Sequence, residues 1–96
     1  MKIIVSDRAD NDLMSIFAHL HQRSSRAAEV MAAEIDRCLQ NMSLFPFSGP
    51  ARPELGPDVR SVIVSPYLIF YAVRGDHITI LRILHGNRDI DVEFSR

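Results

Sequence analysis

The chain has 96 residues, 47% of them hydrophobic and 24% charged, with a net charge of −1, which fits one domain over 1–96 built on a single modest core. A protein that grips nucleic acid through phosphates is ordinarily basic, because counterion release supplies most of that affinity, so this balance argues against direct nucleic-acid binding. No apolar run is long enough to span a bilayer and the N-terminus lacks the pattern of a secretory leader, so a cytoplasmic protein without membrane association is expected.

Lys2 to Val5 reads as a short strand, and Ser6-Asp7 as the cap of a following helix. Asp10 and Asp12 are then expected to put negative charge in the first helical turn, where the dipole favours it. Leu13, Ile16, Phe17 and Leu20 recur at helical spacing and define one apolar face. His19, His21, Arg23 and Arg26 gather near the end of this helix, where cations are favoured. Ser24-Ser25 breaks the pattern and caps a second helix with the stripe Ala28, Met31, Ile35, Cys38, Leu39 and Met42. So short a connection predicts an antiparallel helical hairpin.

Phe45 to Pro57 holds four of the five prolines together with Gly49 and Gly56. It is expected to be an ordered crossing loop anchored by Phe45, Phe47 and Leu55, since proline removes donors and restricts its predecessor. Val59 to Val64 alternates around β-branched residues and predicts a strand. Ser65-Pro66 turns the chain, Tyr67 to Val73 is a second strand, Arg74-Gly75-Asp76 a hairpin turn, and Ile78 to Leu84 a third. The predicted class is α+β: a small antiparallel sheet packed against an N-terminal helical hairpin, in the order β-α-α-β-β-β. The first strand, remote in sequence from the others, is expected at a sheet edge.

Arg60, Arg82, His85 and Arg88 are the residues that chemistry would need. One reading is an RNA-cleaving site, in which the arginines neutralise a scissile phosphate and His85 moves the proton. The structural reading pairs Arg82 with a nearby carboxylate and Arg88 with Asp89 or a C-terminal acid, and packs His85 at the strand end. Period-two alternation sends Arg82 and His85 to opposite faces unless a bulge intervenes. Tyr67 and Tyr71 share a strand face with Ile69 and Val73, so packing with the hydroxyls at the rim is expected. His19 and His21 diverge by roughly 200° on a helix and cannot share a metal. The one cysteine, Cys38, excludes an intrachain disulfide and a cysteine-type metal site. No phosphate loop, dinucleotide fingerprint or serine triad occurs, and no cofactor is expected.

Read in order, four segments resemble the RelE/ParE superfamily of small bacterial toxins, and within it the ParE branch. They are Ser6-x-x-Ala9-x-x-Asp12-Leu13, Gly49-Pro50-x-Arg52-Pro53-Glu54-Leu55 with Arg60, Tyr67-Leu68-Ile69-Phe70-Tyr71, and Arg82-Ile83-Leu84-His85-Gly86-Asn87-Arg88-Asp89-Ile90. The resemblance implies the toxin of a type II toxin–antitoxin pair. ParE-like members are associated with poisoning DNA gyrase without catalysis of their own, whereas RelE-like members cut messenger RNA on the ribosome. The absence of the mid-chain lysine cluster of the ribonucleases, the net charge and the His85-Gly86-x-Arg88-Asp89 ending all favour the ParE branch.

On that resemblance the chain is expected to be a non-enzymatic gyrase inhibitor neutralised by a ParD-like antitoxin. The alternatives are a ribosome-dependent endoribonuclease using Arg60, Arg82, His85 and Arg88, or an inactive relative kept for antitoxin binding. The antitoxin groove is expected along the helical hairpin and the neighbouring sheet edge, with Leu13, Phe17, Met31 and Met42 partly exposed. Arg82, His85 and Arg88 are expected to join that partner-binding surface.

Overall fold

The computed structural model describes residues 1–95. Its elements are β1 (Lys2–Val5), α1 (Asp7–Arg23), α2 (Ser25–Leu44), β2 (Val59–Val64), β3 (Tyr67–Arg74), β4 (His77–His85) and α3 (Ile90–Ser95). The order read from the sequence holds through β4, and α3 is an addition. Periodicity misses a helix this short. Its only sequence signals are Asp89 at the start and the Ile90/Phe94 pair one turn apart.

Ser24 alone joins the hairpin. It is extended at φ −173°, ψ 132°, closes α1 by donating its N–H to Leu20 O, and caps α2 by accepting from Ala27 N at 3.1 Å. One residue of non-helical backbone is therefore enough to join the helices, because a single serine serves one backbone group at the end of α1 and caps one at the start of α2. Ala28, Met31, Ile35 and Met42 face inward from α2.

The sheet order is β1-β4-β3-β2. β2 and β4 each pair antiparallel with β3, and β1 lies at the edge as expected but pairs in parallel with β4, which makes the sheet mixed. Both faces are covered. The helical hairpin buries Ile69, Tyr71, Ile78, Ile80 and Ile83 on one side. On the other, Leu55 from the loop and Ile90 and Phe94 from α3 close over Val59, Phe70 and Leu84.

A bulge in β4 decides which residues reach which layer. Phe70 pairs with Arg82 and Tyr71 with Ile80, so Leu81 has no partner across the ladder. A regular ladder would set Arg82 beside Ile78 and Ile80, under the hairpin. The extra residue flips the parity, giving that inward place to Ile83 and setting Arg82 opposite Phe70, on the other face. β1 stops at the Val5–Ile80 pair, and beyond it α1 takes over the edge of β4. Ser6 N donates to Ile80 O, and Ser6 Oγ donates to Leu81 O and accepts from Ala9 N, both at 3.1 Å. Ser6 thus caps the helix and satisfies the bulge. Ser6→Ala is expected to cost about 1–2 kcal/mol, read as a lower urea midpoint with an unchanged slope.

The loop is anchored differently from expectation. Leu55 packs on the core, but Phe45 and Phe47 are 60% and 63% exposed. The anchor is Tyr71, which is wholly buried instead of placing its hydroxyl at a rim. Its hydroxyl donates to Pro46 O at 2.8 Å and accepts from Gly49 N at 3.1 Å.

Candidate functional site

The first three turns of α1 and the end of β4 form one assembly. Asp12 lies on the same helix face as Ala9, Leu13 and Ile16, a carboxylate within an apolar stripe. Both of its oxygens are used. Oδ2 accepts from Arg82 Nε at 2.8 Å and from Ile83 N at 2.9 Å, while Oδ1 accepts from Arg82 Nη2 at 3.0 Å. Arg82 Nη1 donates to the carbonyl of Glu93 in α3. The side chains of Arg82 and Asp12 are only 10% and 14% exposed. The hydrogen bonds from Arg82 to Asp12 push the guanidinium pKa above its ordinary value against the opposing effect of burial. Arg82 is therefore a neutralised, two-pronged strut between α1, β4 and α3.

His85 and Arg88 follow at the strand end. His85 stacks edge-on against Tyr67, with ring centroids 5.5 Å apart and planes at 80°. Its Nδ1 accepts from Asn87 N at 3.2 Å, which leaves Nε2 to carry the proton of the neutral ring. Arg88 is 58% exposed and reaches Glu93 Oε1 at 3.6 Å, a loose surface pair. Arg82 and His85 do fall on opposite faces, paired with Phe70 and Tyr67 respectively. Both nevertheless line one cleft of about 550 Å³ that wraps the β4 edge, with Arg88, His19 and Arg23 around it and Leu20, Met31 and Tyr67 beneath.

Arg60 is not part of this cleft. Its Nη1 donates to Gly49 O at 2.8 Å and Phe47 O at 3.1 Å, and its guanidinium lies 5.2 Å from the Phe47 ring centre. Arg52 is likewise engaged, through Nε to Glu54 Oε2 at 2.8 Å and stacked over Phe70. That bond holds the Glu54 carboxyl below its usual range. The four residues named for RNA cleavage thus separate: Arg82, His85 and Arg88 meet, and Arg60 serves the loop.

A second cleft, of about 500 Å³, runs between α2 and β2, with Cys38, Met42, Val62 and Val64 among its lining and Glu34, Arg37 and Asn41 also contributing. The outer edge of β2 is covered only over its first half, where Ser61 N donates to Pro50 O and Arg52 N to Val59 O. Beyond that, Ile63 is 75% exposed. Burial raises the Cys38 thiol pKa, which keeps it a protonated, unreactive group.

Of the residues expected to be partly exposed, Leu13 and Phe17 are half-buried and pack against the core. Met31 and Met42 are 8% and 1% exposed. The inward stripe of α2 needs both methionines to fill the space over the sheet, so the open apolar surface lies elsewhere, at Met14, Leu44, Phe45, Phe47 and Ile63. Sequence reasoning also missed Asp12 as the partner of Arg82, and the place of His19 and Arg23 in the cleft. The available signal was a carboxylate at position 12 within the apolar spacing of α1. Among the described residues no group of three metal-ligating side chains converges, and no helix is long and apolar enough to cross a membrane.

A family model described as ParE toxin of type II toxin–antitoxin system, parDE, matches residues 3–90. Toxin ParE3 of Caulobacter vibrioides is 25% identical over 96 residues, covering 99% of this chain and 96% of the relative. Toxin RelE1 of the same organism is 28% identical over 88 residues, covering 88% and 91%. Among solved structures, a chain of the chromosomal ParDE TA system from P. aeruginosa superposes with a TM-score of 0.74 at 25% identity, covering 88% of this chain and 95% of that one.

Proposed function

The chain belongs to the ParE toxin family of type II toxin–antitoxin systems, and from that premise we propose that it inhibits DNA gyrase by binding, without catalysis of its own, and is silenced by a cognate ParD-like antitoxin. The observation that carries the first half is the state of Arg82. A ribonuclease would need this guanidinium free to meet a phosphate, whereas here it is bidentate to Asp12 and bonded to the Glu93 carbonyl. Releasing it would strand a carboxylate in a largely buried place, a cost of several kcal/mol before any phosphate is bound, on the order of 3–5 kcal/mol. Arg60, held on loop carbonyls outside the cleft, argues the same way.

The antitoxin half rests on the groove between α2 and β2. It joins an apolar floor to an uncovered stretch of sheet edge, the arrangement that a segment folding on binding exploits. The sequence expectation of a groove along the hairpin and a neighbouring sheet edge is compatible with this place, whose exposed residues are Ile63 and the α2 rim and not the methionines. Titration of the chain into purified gyrase is expected to inhibit supercoiling and to accumulate cleaved DNA, with relief on adding antitoxin. No effect at large molar excess of folded protein, together with ribosome-dependent cleavage of messenger RNA, would replace this reading by the endoribonuclease one.

A further inference from the structure

We infer that the cleft between α1 and the end of β4 receives an acidic stretch of the antitoxin, a carboxylate-bearing segment that continues out of the α2/β2 groove. The inference rests on the antitoxin half of the reading above and is independent of gyrase. Two observations carry it.

The first is continuity. Val64 and Ser65 line the α2/β2 groove, and the next two residues, Pro66 and Tyr67, line the second cleft. On α2, Glu34 borders the groove and Met31, one turn earlier, floors the cleft. A chain leaving the groove therefore has only the exposed β2–β3 turn, Ser65-Pro66, to pass before it reaches the cleft.

The second is charge. The cleft carries the guanidinium groups of Arg23, Arg82 and Arg88 against the carboxylates of Asp12 and Glu93, while the chain as a whole is at −1. Asp12 is consumed by Arg82, and the Arg88–Glu93 contact is long and exposed. Arg23 has no carboxylate partner among the described residues, and His19 and His85 stand on either side of the opening. An anionic group is what this rim lacks.

The floor decides between an acidic peptide and a nucleic-acid phosphate. Ile16, Leu20 and Met31 offer aliphatic contact, and the one tyrosine, Tyr67, is 7% exposed and already engaged with His85. This largely aliphatic floor, with a chain-wide charge of −1, favours a segment with a carboxylate beside a large apolar side chain over a nucleotide.

The test is calorimetric titration of the cognate antitoxin into the purified chain and into the double variant Arg23→Glu/Arg88→Glu, at low and moderate salt. Both arginines are exposed, so the variant is expected to fold, which its circular dichroism and melting temperature check. The expected result is at least a tenfold weaker affinity, with wild-type binding falling with salt and variant binding much less sensitive to it. Arg23→Gln/Arg88→Gln should show a smaller loss, and Arg74→Glu, outside the cleft, less than twofold. A charge-reversed variant that binds as tightly as wild type overturns the inference, as does a single-stranded RNA whose binding is lost in the variant while antitoxin affinity is unchanged. A wild-type chain that binds no antitoxin at all would instead remove the reading on which the inference rests.

Discussion

Asp12→Ala is expected to remove about 3–5 kcal/mol of folding stability, because it leaves the mostly buried Arg82 guanidinium without its counter-charge. Small domains have only about 5–15 kcal/mol in total, so the variant should be substantially unfolded near physiological temperature. The loss has three parts: both prongs of the carboxylate, the partner of Ile83 N, and the strut that reaches α3 through the Glu93 carbonyl. Equilibrium urea unfolding of Asp12→Ala, Arg82→Met and the double variant resolves them. The double variant should be more stable than Asp12→Ala alone, since an apolar side chain leaves no orphan charge, and the coupling between the two sites should exceed about 1 kcal/mol. A loss below that for Asp12→Ala would mean that water reaches Arg82 freely and that the strut carries little. The experiment also bears on function. Loss of toxicity on changing Arg82 has an immediate structural cause, so only variants shown to be folded can speak for or against catalysis.

Gly49→Ala is expected to cost about 3 kcal/mol, from overpacking at about 1–3 kcal/mol and from the hydrogen bonds it displaces at about 1 kcal/mol each. A Cβ at this position would stand 2.6 Å from both Ser61 O and the Tyr71 hydroxyl. One of these neighbours is sheet backbone and the other a ring with no exposed surface, so neither can yield cheaply. The same spot carries Gly49 N to Tyr71 and Arg60 to Gly49 O. Tyr71→Phe should cost less, about 1–3 kcal/mol for leaving the Gly49 N–H unpaired. In the pair Gly49→Ala/Tyr71→Phe the losses should fall short of additive, because removing the hydroxyl also removes half of the clash. Melting temperatures of the three variants, compared with wild type, check the ranking. A neutral Gly49→Ala would show that the loop moves as a body away from β3.

The hairpin, the three C-terminal strands and their order were legible because each rests on local signals: the spacing of Leu13, Ile16, Phe17 and Leu20, the serine break at Ser24, and the alternation of Val59 to Val64. The edge position of β1 was legible from its remoteness in sequence, but its parallel pairing was not, since no periodicity encodes strand direction. The site was half legible. Arg82, His85 and Arg88 do meet, and the alternative that Arg82 pairs with a carboxylate describes its state. The identity of that carboxylate lies 70 positions away, where chain order gives no hint and only a misplaced charge on a helix face does. Leu81 was opaque for the same reason, because a bulge is a property of two strands together. The methionines illustrate a different limit. Helical spacing placed Met31 and Met42 on one face correctly, yet spacing alone does not say whether that face meets the sheet or a partner.

The unpaired Leu81 also constrains how this strand can change over time. Substitutions along β4 are judged one at a time, each by the layer it faces. Loss or gain of a single codon between Ile78 and Ile83 would exchange the two layers for every residue that follows, turning Arg82 toward the hairpin and Ile83 away from it. Length in this stretch is therefore inherited more strictly than identity, and a sequence alignment that opens a gap here would be pairing residues that belong to different sides of the sheet.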